Sequence, residues 1–307
     1  MDISIILNQM LILFLFLFLG VLLNRVGIIN SDFNQRITKI IIHVTMPCMI
    51  LASVLKQDGK RDMHALIILA IVGVLIYIAL PVFAFLLVHI FPVRTERKGL
   101  YMFMTIYGNV GFMGFPVLNA LYGPTAVFYA AIINIAFNLS IYTYGVIIMH
   151  YKKETSAALN IKSILSPGVS LSVFAVFVYI FHIPFPPSLT SALTSLGDMT
   201  VPLAMIVIGG TLGTMKLKEL VNDLALYPYV MFRQFILPLC AFPLLHLFLK
   251  DKLILGVSFI LLMMPVANTA VLFANLYNGD AKLAAKGVFF TTLLSIVSIP
   301  VLIYFCL

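Results

Sequence analysis

The chain has 307 residues, 62% of them apolar and only 10% charged, with a net charge of +8 and a mean hydropathy of +1.12. A soluble domain is about 45–50% apolar and about 25% charged, so these figures exclude a soluble enzyme or binding module and describe a polytopic protein of the lipid bilayer. The positive excess would suggest nucleic acid in a soluble protein; here it falls in short loops, where it sets orientation instead.

The apolar runs predict about ten membrane helices, at 3–23, 33–55, 64–91, 100–121, 125–149, 161–182, 188–212, 219–248, 252–276 and 283–306. Each is long enough to cross a hydrocarbon core about 30 Å thick. The first run lacks a basic leader and a small-residue cleavage site, so it reads as a retained helix and not a signal peptide. The side holding the loops after runs 1, 3, 5, 7 and 9 carries thirteen basic residues, against five on the other side (Lys56, Lys60, Arg61, Lys250 and Lys252). By the positive-inside rule the first side is cytoplasmic and both termini lie outside.

The fourth run cannot be a straight helix. It contains Tyr107-Gly-Asn109-Val-Gly111-Phe-Met-Gly114-Phe-Pro116. Each glycine costs about 1 kcal/mol against alanine in a helix interior and the proline about 3 kcal/mol. Pro116 is expected to free a carbonyl near Phe112. Broken backbone at membrane depth survives only where it faces protein or a wet cavity. Two readings follow: a discontinuous helix that lines a substrate site with the Asn109 carboxamide at the break, or a kinked packing helix with a close glycine contact.

The second half of the chain repeats the first. Leu80 to Phe91 (LPVFAFLLVHIF) matches Leu237 to Phe248 (LPLCAFPLLHLF) at seven of twelve positions, at an offset of 157. Val44-Thr-Met-Pro47 matches Met199-Thr-Val-Pro202, and Leu121-Tyr122 matches Leu276-Tyr277, both at an offset of 155. Five runs per half is an odd number, so residues 1–150 and 151–307 are expected to be two inverted five-helix repeats. The repeat predicts that the ninth run is broken like the fourth, and it carries Met264-Pro265-Val-Ala-Asn268-Thr269. Paired broken helices in inverted repeats favour the transporter reading, with the site where the breaks meet.

Few ionisable side chains lie within the runs, and each is costly there. His43 and Asp198 lie four residues before Pro47 and Pro202, at equivalent positions of the two halves. Asp198 is a proton or cation site, or else a cap on the helix beginning nearby. His43 is a neutral hydrogen-bonding residue or a proton carrier. Arg233, deep in the eighth run, pairs with Asp198, draws an anion inward or snorkels. Asn134, Asn138 and Tyr142 share one helix face, which lines the cavity or bonds to a neighbouring helix. Cys48, Cys240 and Cys306 have unrelated spacings and suggest neither a metal nor a disulfide. No catalytic, metal-binding, cofactor-binding or Walker motif stands out, so transport is expected to draw on an ion gradient or on the substrate's own.

Asn109-Val-Gly-Phe-Met-Gly-Phe-Pro116, the segment from Asp198 through Pro202-Leu-Ala-Met to Gly209-Gly210, and Pro265-Val-Ala-Asn-Thr-Ala-Val-Leu-Phe-Ala-Asn-Leu-Tyr277 together resemble the auxin efflux carrier family. This family includes the plant PIN auxin carriers and bacterial permeases labelled for malate. The resemblance covers essentially the whole chain. It implies an all-α integral membrane fold similar to bile-acid sodium symporters, with helices broken at Pro116 and Pro265 crossing at the substrate site. It further implies a scaffold and a moving transport domain, an elevator-like mechanism and a homodimer. Asn109 inherits the role of contacting the substrate carboxylate. An Asn-Pro that members carry near the start of the sixth helix is here Ser166-Pro167, and the long cytoplasmic loop of plant members is absent. The expected substrate is a small organic anion, auxin-like or a mono- or dicarboxylate, bound by Asn109, Gly111, Gly114, Pro116, Pro265, Asn268, Asn138 and Tyr142. Asp198 with His43 would serve an H+ or Na+ coupling ion, with Arg233, Pro47 and Pro202 in electrostatic and structural roles. An uncoupled facilitator or channel of the same fold is the alternative. The expected location is the bacterial cytoplasmic membrane.

Overall fold

The computed structural model describes residues 3–55, 62–91, 93–149, 167–181, 183–214, 223, 226–277 and 279–307. Among these the chain is almost wholly helical. In chain order the helices are α1 (Ile3–Arg25), α2 (Ser31–Leu55), α3 (Met63–Ile90), α4a (Thr95–Ile106) with α4b (Val110–Tyr122), α5 (Pro124–Tyr142, resumed as Tyr144–Met149) and α6 (Pro167–Phe181). They continue with α7 (Pro187–Gly213), α8 (Leu226–Phe248), α9a (Lys252–Met263) with α9b (Thr269–Leu276), and α10 (Ala281–Cys306). Six are long and apolar enough to cross a membrane: α2, α3, α5, α7, α8 and α10. The boundary expected between the two halves, and Ser166, lie outside the described residues.

Large apolar side chains lie exposed along the whole of α3, including Ile67, Ile71, Leu75, Ile78, Val82 and Phe85. Water would not tolerate such a surface on a monomer, whereas lipid does. Lipid also gives no hydrophobic drive for helices to associate, so close packing of small residues supplies it. The contact of α1 with α7 shows this. A Cβ at Gly20 would overlap the carbonyl of Ile206, and one at Gly209 would overlap that of Leu17. The two backbones touch because neither glycine has a side chain.

Prolines shape the helices locally. Wide π turns occupy Ile41–Thr45, Val110–Gly114 and Phe232–Ile236. Each ends two residues before a proline: Pro47, Pro116 and Pro238. In each case the residue before the proline bonds five residues back: Met46 to Ile41, Phe115 to Val110 and Leu237 to Phe232. A proline ring clashes with the carbonyl four residues earlier in a regular helix, and the wider turn gives it room. Gly123, at φ 76°, ends α4b and lets Pro124 start α5 directly.

Two groups of helices result. In one, α1 and α6 flank α2 and α7, with α1 against the second half of α7 and α6 against the second half of α2. In the other, α3 and α5 pack with α4a, and α8 and α10 pack with α9a. The groups meet where α2 and α6 touch α5 and where α1 touches α4b and α10. Element order recurs at the offset of the sequence repeat: α9a begins 157 residues after α4a (Lys252 and Thr95), and α10 begins 157 after α5 (Ala281 and Pro124).

Candidate functional site: the crossing of two broken helices

Both helices expected to be broken are broken, and they cross. Helix α4a stops at Ile106, Tyr107 to Asn109 run extended, and α4b starts at Val110. Helix α9a stops at Met263, and α9b starts at Thr269. The extended segments meet antiparallel at Gly108 and Val266. Asn109 N–H donates to the Pro265 carbonyl at 2.7 Å, and Ala267 N–H donates to the Tyr107 carbonyl at 3.1 Å. Each break thus satisfies backbone groups freed by the other, as membrane depth demands.

The first break differs from the sequence expectation. It lies at residues 107–109, about seven residues before Pro116, which sits in the first turns of α4b behind the π turn. The ring is absorbed by that wide turn and does not itself stop the helix. Gly108 is the residue that permits the crossing. A Cβ there would lie 2.9 Å from Arg233 Nη2 and 3.1 Å from the Met264 carbonyl oxygen. The other two glycines have softer surroundings. A Cβ at Gly111 would meet the terminal methyl of Met46 at 3.2 Å, and one at Gly114 would meet Leu261 Cδ2 at 3.0 Å.

Arg233 braces the second break. It is 2% exposed and donates through Nη1 to the Leu262 carbonyl at 2.8 Å. That carbonyl belongs to the last turn of α9a, where helix carbonyls lack partners and carry partial negative charge. Arg233 therefore does not snorkel, and among the described residues no carboxylate pairs with it. Its neighbour Gln234, fully buried, donates to the Thr291 carbonyl at 2.6 Å. Thr291 Oγ1 in turn accepts Val266 N–H at 3.0 Å and donates to the Gly287 carbonyl at 2.7 Å. A void of about 10 Å³ beneath Gly108, lined by Arg233, Tyr77 and Leu262, is too small for a substrate.

The helix starts face the crossing. Asn109 caps α4b, its Oδ1 accepting Phe112 N–H at 3.3 Å. The other end of the same carboxamide, Nδ2, is buried without a partner. Asn268 stands at the start of α9b without capping it, and Thr269 Oγ1 is buried and unpartnered. The N–H groups of Gly111, Asn268 and Thr269 are not taken up by any turn or cap bond among the described residues. Free donors at two helix N-termini form an anion-attracting locus. Asn109 is 4% exposed, so the crossing is closed over it in this conformation.

The remaining expected residues fall around this centre. Tyr142 packs on Phe273 of α9b at 6.0 Å between ring centroids. Asn138 turns Nδ2 back to the Asn134 carbonyl of its own helix at 2.8 Å. His43 is exposed, and its Nδ1 donates to the Lys39 carbonyl at 2.9 Å, a bond within its own helix. Asp198 is exposed and does not cap the following helical segment, Thr200–Gly213, which has no side-chain cap. It lines a small cavity with Ser53 and Asn119. Pro47 and Pro202 lie in α2 and α7, the first behind a π turn and the second in the first turn after Met199. Gly108, Gln234, Thr291 and Asn119 are the residues the sequence reading missed as site residues. Gly108 and Asn119 lay inside the glycine-rich stretch 107–119, while Gln234 and Thr291 carried no local signal.

A family model described as "Membrane transport protein" matches residues 5–303. An uncharacterized transporter of Methanocaldococcus jannaschii is 27% identical over 298 residues, covering 95% of this chain and 96% of the relative. An uncharacterized transporter of Methanothermobacter thermautotrophicus is 25% identical over 292 residues, covering 92% of each chain.

Proposed function

The chain belongs to the membrane transport protein family, the auxin efflux carrier-like group, and from that premise we propose that this integral membrane transporter is a secondary carrier of a small organic anion. The substrate class is an auxin-like acid or a mono- or dicarboxylate. The observation that supports it best is the convergence of two helix N-termini and the unpartnered Asn109 Nδ2 on one crossing, with the Arg233 charge behind it. A carboxylate that reaches the crossing once it opens meets donors already set at two helix starts. The two halves act as inverted repeats. The group of α1, α2, α6 and α7 serves as scaffold and dimer surface, and the group carrying the crossing moves against it as an elevator. Both termini face outward from the cytoplasmic membrane. Asp198, assisted by His43, serves a coupling ion.

Two measurements test this reading. Purified protein is screened for thermal stabilisation by a panel of organic acids, since a ligand selective for the folded state adds about 2.7 kcal/mol at a hundredfold excess over its Kd. Uptake into proteoliposomes is then measured with and without pH and Na+ gradients. An acid that stabilises wild type and is carried inward, with both effects lost in Asn109→Ala, supports the proposal. Stabilisation and uptake unchanged in correctly inserted Asn109→Ala would sink it. Flux that follows the acid gradient alone, indifferent to pH and Na+, favours the uncoupled facilitator.

A further inference from the structure

Asp198 lies twelve residues into the 27-residue helix α7. At 1.5 Å per residue that is about 17 Å along it, level with the end of α2, where Ser53 lies just before Leu55, and with Pro124, the first residue of α5. The residue is exposed on one side. Its other side lines a cavity of about 20 Å³ with Ser53 of α2, Asn119 of α4b, and Pro124 and Val127 of α5. That volume suits one water molecule or one small ion. Gly197, the preceding residue, lets α7 press on the backbone of α2, where a Cβ would lie 2.8 Å from Met49 Cα. The wall opposite the carboxylate is therefore held close by backbone contact.

The polar groups of this cavity are all oxygen donors or carry one. Asp198 offers a carboxylate. Ser53 Oγ, 2% exposed, gives its proton to the Ile50 carbonyl at 2.6 Å, which leaves its lone pairs free. The Asn119 carboxamide makes no hydrogen bond among the described residues; only its backbone carbonyl is used, by Gly123 N–H. No histidine or cysteine lines the cavity, which disfavours a transition metal. One negative charge with two neutral oxygens suits a hard monovalent cation.

We infer that Asp198, Asn119 and Ser53 form a Na+ site between the two groups of helices. This rests on the proposed role of Asp198 and goes beyond it by naming the ion and its other ligands. The ligands come from both groups: Asp198 and Ser53 from α7 and α2, Asn119 from α4b. Sliding of one group past the other pulls the set apart, so the ion binds this relative position and no other. Such differential affinity is what coupling requires. The site and the anion crossing share helix α4b, which begins beside Asn109 and carries Asn119 near its end.

The test uses the full-length purified protein without any organic acid. Sodium is titrated against choline at constant ionic strength while the melting temperature is followed, and ²²Na+ binding is measured by scintillation proximity. Wild type is expected to show saturable stabilisation and stoichiometric binding, with K+ at least tenfold weaker. Asp198→Asn and Asn119→Leu are expected to lose both, and Ser53→Ala to weaken binding severalfold. Each variant must melt in choline as wild type does; a variant that does not is replaced by the milder Asn119→Ser, for which weakened binding is likewise expected. Absence of Na+ binding to wild type, or wild-type binding by a folded Asn119→Leu, overturns the site. Acid binding by Asn109→Ala and wild type, measured separately, reports on the crossing alone. Failure there leaves this result standing, and the reverse.

Discussion

Replacing Gly108 by alanine tests whether the crossing is held as described. The new methyl would lie 2.9 Å from Arg233 Nη2, 3.1 Å from the Met264 carbonyl oxygen and 3.3 Å from Met264 Cβ. Two responses are open. Arg233 can withdraw, which breaks its bond to the Leu262 carbonyl at 2.8 Å and costs about 1.5–3 kcal/mol for a charged donor. Otherwise the two extended segments part, stretching the Asn109–Pro265 and Tyr107–Ala267 bonds, at about 1 kcal/mol each or more out of water. Either route destabilises by about 2–3 kcal/mol. Gly111→Ala is the control. Its methyl displaces only the flexible end of Met46, a strain of under about 1 kcal/mol, set against about 1 kcal/mol of improved helix propensity. Reversible unfolding in mixed detergent micelles measures both. If Gly108→Ala costs no more than Gly111→Ala, the close approach at Gly108 is not what holds the crossing.

Three further substitutions address the neighbouring contacts. Thr291→Val is isosteric but leaves Val266 N–H buried without its acceptor, so a loss of about 1–3 kcal/mol is expected, with Thr291→Ser restoring most of it in the same unfolding assay. Gly209→Ala drives a methyl into the Leu17 carbonyl and is expected to cost 1–3 kcal/mol or more, read as a lowered melting temperature, whereas alanine at exposed Ser195 changes little. Arg233→Gln removes the charge while keeping an N–H donor. Arg233 lies beneath Gly108, and at an effective dielectric near 20 a nearby unit charge is worth on the order of 1 kcal/mol or more to an anion, so on the proposed function acid affinity is expected to fall about tenfold; unchanged affinity would remove Arg233 from the anion's field.

The sequence made the large features legible because each has a local physical signal. Apolar runs long enough to span, glycine and proline clusters that no straight helix tolerates, and a repeat at near-constant offset each announce themselves in one dimension. The location of the first break was less legible. Pro116 is the loudest helix breaker, yet the chain breaks at Tyr107 to Asn109, because a π turn absorbs the ring and the crossing partner supplies the missing bonds. Pattern alone could not show that Pro265 and Tyr107 carbonyls would be shared between segments more than 150 residues apart. The brace was legible only in part. Arg233 stands out as a charge in an apolar run, but its partner is a backbone carbonyl, and every residue has one. Thr291 and Gln234 look like ordinary polar residues of a helix until the fold sets them against Val266 and each other.

The two breaks are held by different means, and the difference bears on transport. The first carries its own cap: Asn109 caps α4b with its side chain and its carbonyl closes the π turn, while its N–H goes to the Pro265 carbonyl. The second has no side-chain cap at Asn268 and depends on α8 and α10 through Arg233 and Thr291. An anion arriving at the start of α9b would therefore meet donors that nothing yet satisfies, whereas at α4b it meets only Gly111 N–H and Asn109 Nδ2. Binding would satisfy more at the second break than at the first. Since α9a and α10 are tied to the same brace, local ordering there would reach both helices. On the proposed function, a substrate would complete the unfinished start of α9b, and its release would leave those donors unpaired again. On that reading, leaving one of the two crossed breaks uncapped is what would give the substrate its place.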